Sequence, residues 1–255
     1  MTLSRRSLIS TLPIAVLAGC GGSKGPKIAL VGATLISGRG EEPLADSVLV
    51  VSGGLFRAVG SRNNTAVPVG ATEVDVRGKF VIPALIDVTP EGWTEPRYTE
   101  AEINIELQTA QVLYGIPCER SLIPNDILDK IRNLRIPVAP MLSKINDTVQ
   151  LGYAQANVKT MLESGVVVTV ASGGRNHEAT VREILLMAGG GAEAKDLIVA
   201  ATRYGAAALR DSKRSGTIEA GKPADLMVLA GNPLKDLAAL QKIERVMRGG
   251  AWKES

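Results

Sequence analysis

Gly78-Lys79-Phe80-Val81-Ile82-Pro83-Ala84-Leu85-Ile86-Asp87-Val88-Thr89-Pro90-Glu91 is the stretch on which the reading of this 255-residue chain turns. Phe80, Val81 and Ile82 are β-formers, Pro83 interrupts the ladder, and Ala84 to Val88 reads as a second, buried strand. The segment leaves one sheet and enters another, ending in Asp87, Thr89 and Glu91 at a strand terminus.

Upstream, Lys27 to Ile82 is β-rich. Ile28 to Val31 and Ala33 to Ile36 flank Gly32, and Val48 to Val51 is expected to pair with Leu55 to Val59 across Ser52-Gly53-Gly54. Thr72 to Val76 and Phe80 to Ile82 read as another hairpin through Arg77-Gly78-Lys79. The far end has the same texture: Gly216-Thr217-Ile218-Glu219-Ala220-Gly221-Lys222-Pro223-Ala224-Asp225-Leu226-Met227-Val228-Leu229, then Asn232-Pro233 and a last strand, Ile243 to Met247. Its two glycines allow a tight turn, and Asp225 is placed to bond that turn's amides before an apolar strand begins.

Between these ends, helices and strands alternate, which argues for strands covered by outer helices. Thr99 to Leu113 reads as a helix with a capping box, Thr99 to Glu102, and Ile116 to Cys118 as a short strand. Helices are expected over Asp126 to Leu134, Ala154 to Ser164, Glu178 to Ala188 and Glu193 to Leu209, with a buried strand at Val166 to Val170.

Phe80 to Glu91 resembles the strand by which the amidohydrolase superfamily enters its barrel, roughly Gly-x-x-Val-x-Pro-Gly-Leu-Ile-Asp-x-His-x-His. Ala84 replaces the glycine, Asp87 is kept, and Thr89 and Glu91 stand at the two histidine positions. Gly216 to Leu229 is similar, almost letter for letter, to the family's closing Gly-Thr-Ile-x-x-Gly-Lys-x-Ala-Asp-Leu-x-Val-Leu. Asn157 to Ser172, Glu183 to Gly189 and Ala200 to Thr202 continue the resemblance. It implies an α/β fold: a small composite β-sandwich made from both chain ends, plus a truncated (β/α) barrel-like domain. The resulting division is residues 27–82 and 213–255 for the sandwich and 83–212 for the barrel-like part. A full barrel has eight strand-helix units; Ala84 to Leu209 has room for four or five.

The resemblance also implies chemistry: one or two divalent metals, Zn or a similar ion, lower the pKa of a bound water that attacks a non-peptide C–N bond. The family's ligands are mostly imidazoles, with an aspartate on the last barrel strand. Here the chain contains one histidine, and Gly173 stands at the aspartate position. The residues thus point to a degenerate site with no cofactor expected. His177, beside Glu178, reads either as a general base oriented by Glu178 or Glu91, or as a solvated residue at a helix start. Asp87, Glu91 and Glu119 are the candidate oxygen ligands for a hard cation. Gly173, Gly174 and Arg175, after a strand and before a helix, are the candidate anion cradle. The catalytic candidates are accordingly Asp87, Glu91 and His177.

Residues 1–19 read as an export signal rather than as structure. Arg5 and Arg6 precede an apolar run too short to span a bilayer, and Ser4 to Ile9 resembles a twin-arginine signal. Leu17-Ala18-Gly19-Cys20 looks like a bacterial lipobox, with Cys20 acylated as the new first residue and residues 20–26 a tether. The expected location is therefore the bacterial cell envelope, lipid-anchored on an extracytoplasmic face. The net charge of +3 falls on removal of residues 1–19 to 27 basic against 26 acidic side chains, and aromatics are 3%. Neither a basic stripe nor stacking rings are available for nucleic acid. The partners left are the membrane through Cys20, a small-molecule ligand, a partner protein, and a second copy that completes the barrel.

Overall fold

The computed structural model describes residues 27–89, 112–115, 121–174 and 176–254. The leader, the tether, the helix expected from Thr99 up to residue 111 and the strand at Ile116 to Cys118 lie outside the described residues. So do Cys20, Glu91, Glu119 and Arg175.

β1 (Lys27–Leu35) pairs antiparallel with β2 (Leu44–Ser52), which turns through Gly53-Gly54 into β3 (Leu55–Ser61), the expected hairpin. Both turn glycines have positive φ, 60° and 79°, the backbone that a two-residue hairpin requires. β4 (Thr72–Asp75) and β5 (Phe80–Pro83) do not form the hairpin expected between them. Both run parallel to β1, β4 against Ile28–Val31 and β5 against Thr34–Leu35. Gly32, at φ 96°, breaks the register between those two halves of β1, and a Cβ there would stand 2.4 Å from Arg77 Cγ. The jog at Arg77-Gly78-Lys79 therefore moves the chain along β1 instead of reversing it.

Beyond Pro83 the chain stays extended through Thr89 and is anchored on alternate amides. Ile86 N donates to Ala201 O (2.7 Å) and Val88 N to Val170 O (2.8 Å). β6 (Leu113–Tyr114) is a short strand where a helix end was expected, and Leu113 is buried on it. It lies parallel to β7 (Val138–Ala139), reached through α1 (Asn125–Leu134). Val138 also exchanges backbone bonds with Val167 and Thr169, and the Tyr114 hydroxyl reaches Val88 O at 3.0 Å. Among the described residues, four strand segments thus stand where a full barrel has eight strands.

α2 (Thr148–Glu163) starts six residues before the expected Ala154, capped by Asp147, which accepts from Val149 N and Gln150 N. α3 (His177–Ala188) is capped by Asn176. α4 (Ala194–Val199) opens into a π-helical turn, Ala200–Tyr204, before a last helical turn, Gly205–Ala208.

The chain then returns to the sheet as β8 (Leu226–Leu229), β9 (Ile243–Arg248) and β10 (Ala251–Lys253), giving the order β10-β9-β8-β5-β1-β2-β3 with β4 beside β1. Asp225 does not bond its own turn; its Oδ1 accepts from Gly249 N (2.6 Å) in the β9–β10 turn. The sheet curls until its outer turns meet, and a Cβ on Gly250 would lie 2.7 Å from Gly54 Cα. One face encloses Leu30, Leu49, Phe56, Val81, Leu226 and Met247. From the other, Ile82, Met227 and Leu229 join the core of Ile127, Ile131, Met161 and Ile184 under the helices. The architecture is α/β: a composite β-sandwich from both chain ends joined to a truncated barrel-like unit.

Candidate functional site

The strand from Ala84 and the strand from Val166 end side by side, which brings Asp87 and Thr89 against Ser172 and Gly173. The Asp87 carboxylate is fully engaged by the protein. Its Oδ1 accepts from Thr89 N (3.0 Å) and Thr89 Oγ1 (2.5 Å), and its Oδ2 from Ser172 Oγ (2.5 Å) and Thr180 Oγ1 (3.0 Å). Ser172 N lies 3.3 Å from both oxygens. Five donors face a group with about four lone-pair sites, and the single protons of Ser172 Oγ and Thr180 Oγ1 have Gly174 O (2.9 Å) and Asn176 O (3.1 Å) as second acceptors.

The neighbouring glycine amides turn into the same cluster. Gly173 N donates to Thr89 Oγ1 (3.0 Å) and Gly174 N to Ser172 Oγ (3.1 Å). Of the candidate anion cradle, both described amides thus already have hydroxyl acceptors. Gly173, at φ 70°, has a lysine where a side chain would stand, with Lys144 Cε 2.3 Å and Nζ 2.8 Å from an added Cβ. The space of the expected aspartate is held by an ammonium group.

Beneath this cluster Glu183 of α3 is fully buried and accepts from Leu142 N (2.5 Å) and Ser143 N (2.9 Å), at the start of the 3₁₀ turn Leu142–Lys144. Burial pushes its carboxyl above the usual glutamate range, opposed by those amides and reinforced by the Asp87 charge. The Tyr114 phenol is raised for the same reasons, burial first and then Asp87. Ser172, Thr180, Glu183 and Lys144 were not singled out from the sequence. For Glu183 a signal existed: it shares a helix face with Thr180, Ile184 and Met187, so a carboxylate was due to be buried there.

His177 and Asp87 line one cleft of about 570 Å³, together with Thr89, Asn176 and Thr180 on a polar side and Leu85, Met227 and Val246 on an apolar one. His177 Nε2 is 2.9 Å from Leu240 O. A carbonyl only accepts, so Nε2 donates in this contact. The imidazole is thereby oriented by the sandwich half of the chain.

The described residues do not fit a catalytic divalent metal. One hydrogen-bonded carboxylate, three hydroxyls and a nearby ammonium stand in place of the imidazole-rich set that water activation needs. Among the described residues no three His, Cys, Asp or Glu side chains gather at metal-holding distances.

Residues 98–253 match the sequence model of the amidohydrolase family. The chain belongs to that family. Among solved structures, this amidohydrolase-family chain is similar to molinate hydrolase (12% identity, 90% of this chain and 95% of that one, TM-score 0.72). It is also similar to a putative prolidase from Bifidobacterium longum (18% identity, 90% and 95%, TM-score 0.65) and to ochratoxinase of A. niger (11% identity, 89% and 95%, TM-score 0.71). At these identities the likeness is one of fold. No curated protein matches the chain.

Proposed function

We propose that this protein is an amidohydrolase whose metal-dependent hydrolysis of non-peptide C–N bonds has been lost, and whose scaffold persists as a lipid-anchored binder of a small molecule in the cell envelope. The observation that carries this reading is the Asp87 carboxylate, kept at the family's position but bonded entirely to Thr89, Ser172 and Thr180. Oxygens faced by five N–H and O–H donors offer a cation few free lone pairs. The cleft beside it supports small-molecule binding over a scaffold for a partner protein. Its volume lies in the range of ligand pockets, and it sets an apolar wall opposite a few polar groups. His177 lines that cleft with an imidazole oriented by Leu240 O, so a ligand with a polar group and an apolar body suits it.

Metal analysis of purified protein by mass spectrometry, before and after dialysis, tests the loss of catalysis. The expected result is no stoichiometric Zn, Fe or Mn. Metal that survives dialysis, together with chelator-sensitive hydrolysis of a lactam, hydantoin or imidazolone ring, overturns it and restores the reading as a working hydrolase. The anchor is tested separately. Labelled fatty acid is expected on the wild-type chain and absent from Cys20→Ser, and equal labelling of the two rejects acylation at Cys20.

A further inference from the structure

We infer that the ligand of the Asp87–His177 cleft carries a carboxylate, and that Lys144 at the rim of the cleft is the residue that selects it. The inference rests on the reading of that cleft as a small-molecule site. Lys144 ends the 3₁₀ turn Leu142–Lys144, which follows β7. Its side chain lies over Gly173, where an added Cβ would stand 2.8 Å from Nζ. Gly173 donates its amide to Thr89 Oγ1 (3.0 Å) and precedes Gly174, and both Thr89 and Gly174 line the cleft. The ammonium therefore stands just outside the cleft wall, at its Thr89–Gly174 end.

The turn is held in that place at a cost. Met141, the residue before it, is buried at φ 55°, a left-handed conformation that a bulky side chain rarely adopts. Glu183 is buried as well and gives one oxygen to Leu142 N and the other to Ser143 N, so an acid taken out of water fixes two consecutive amides of one turn. Ser143 Oγ adds a bond to Ser172 O (3.0 Å). A left-handed residue, a buried acid and a missing Cβ on Gly173 thus converge on one outcome, the placement of Lys144. Strain of this kind persists where the surrounding structure fixes a functional group.

Among the described residues Lys144 is in no ion pair. Other lysines share that property, Lys235, Lys242 and Lys253 among them, but Lys144 packs on the residue that joins two walls of a ligand cleft. The acids of the site do not claim it. Asp87 faces Thr89, Ser172 and Thr180, and Glu183 faces the two turn amides. Asp87 keeps its own charge, so an entering anion seats on the Lys144 side of Thr89 and not against the Asp87 carboxylate. A ligand whose apolar body lies on Leu85, Met227 and Val246 then offers its carboxylate to the ammonium.

The test compares a naphthalene carboxylate with its neutral carboxamide, two probes of the same apolar body, by titration calorimetry on the full chain. An exposed ion pair is worth at most roughly five-fold in affinity, and the wild type is expected to prefer the carboxylate by about that factor. In Lys144→Met the two probes should bind equally, and Lys144→Arg should restore the preference. Bound carboxylate should also slow acylation of the Lys144 amine, read by mass spectrometry, while Lys253 on β10 labels at the same rate with either probe. Equal affinities in the wild type, or a preference that survives in Lys144→Met, overturn the role of Lys144 and leave the cleft standing as a small-molecule site. A chain that takes up neither probe rejects the cleft as such a site, and the assignment of Lys144 with it.

Discussion

At the scale of single residues, Asp87 and Glu183 are the carboxylates whose structural roles can be tested. Asp87→Asn removes the charge from this cluster, so the charge-assisted bonds from Ser172 and Thr180 are lost and their hydroxyls turn to Gly174 O and Asn176 O. A hydrogen bond to a charged group is worth about 1.5–3 kcal/mol, and the urea midpoint should fall accordingly while metal content stays unchanged. A variant with normal stability but altered metal binding would return Asp87 to the role of ligand. Glu183 gives a pH signature. Its pKa in the folded chain is raised above the ordinary value near 4.5, chiefly by burial, so folding favours the protonated carboxyl. Its contribution is fully present below the unfolded value and is lost as pH rises through the folded one. Urea midpoints of wild type and Glu183→Gln should therefore shift relative to one another, in favour of the variant, between mildly acidic and neutral pH. A gap that is constant across that range would show that the carboxyl does not titrate as its burial requires.

At the scale of elements, α2 shows what pattern reading captures and misses. The span expected from Ala154 contains the buried Ala154, Val158 and Met161 but not the first turn, where Val149 is exposed and Gly152 weakens propensity. The start is fixed by Asp147, whose side chain accepts from two orphan amides. Asp147→Ala should accordingly cost about 1 kcal/mol in urea unfolding, and an unchanged midpoint would mean that packing alone sets the helix start. The errors in the sheet have the same origin. β4, the jog and β5 look like a hairpin because two β-rich runs flank a glycine, yet their pairing is decided by the bulge at Gly32, a long-range fact. Leu113 and Tyr114 fit a helical stripe, and only their register with Val138 and Ala139 makes them a strand. The shortage of imidazoles was legible, because one histidine is a count. What fills the site was not. Ser172, Thr180 and Lys144 come from separate segments, and nothing local marks them as partners of Asp87 and Gly173.

At the scale of the whole molecule, the question is whether a truncated barrel still folds as one unit with the sandwich. Both ends complete the sheet: β8 from the C-terminal half pairs with β5 from the N-terminal half, which in turn lies beside β1. The large core is also shared. Ile36, Ile82, Met227 and Leu229 from the sandwich pack in one cluster with Ile127, Met161, Ile184 and Leu197 from the helical part. His177 adds a polar link, α3 to Leu240. Elements that bury the same side chains cannot unfold independently without exposing them, so a single cooperative transition is expected, with calorimetric and van't Hoff enthalpies in agreement. Two resolved transitions would mean that sandwich and barrel remnant are separately stable and that the shared core contributes little. A broad, non-cooperative melt would mean that the shortened barrel no longer specifies a packed state. The cleft between Asp87 and His177 would then lack the rigid walls that ligand binding requires.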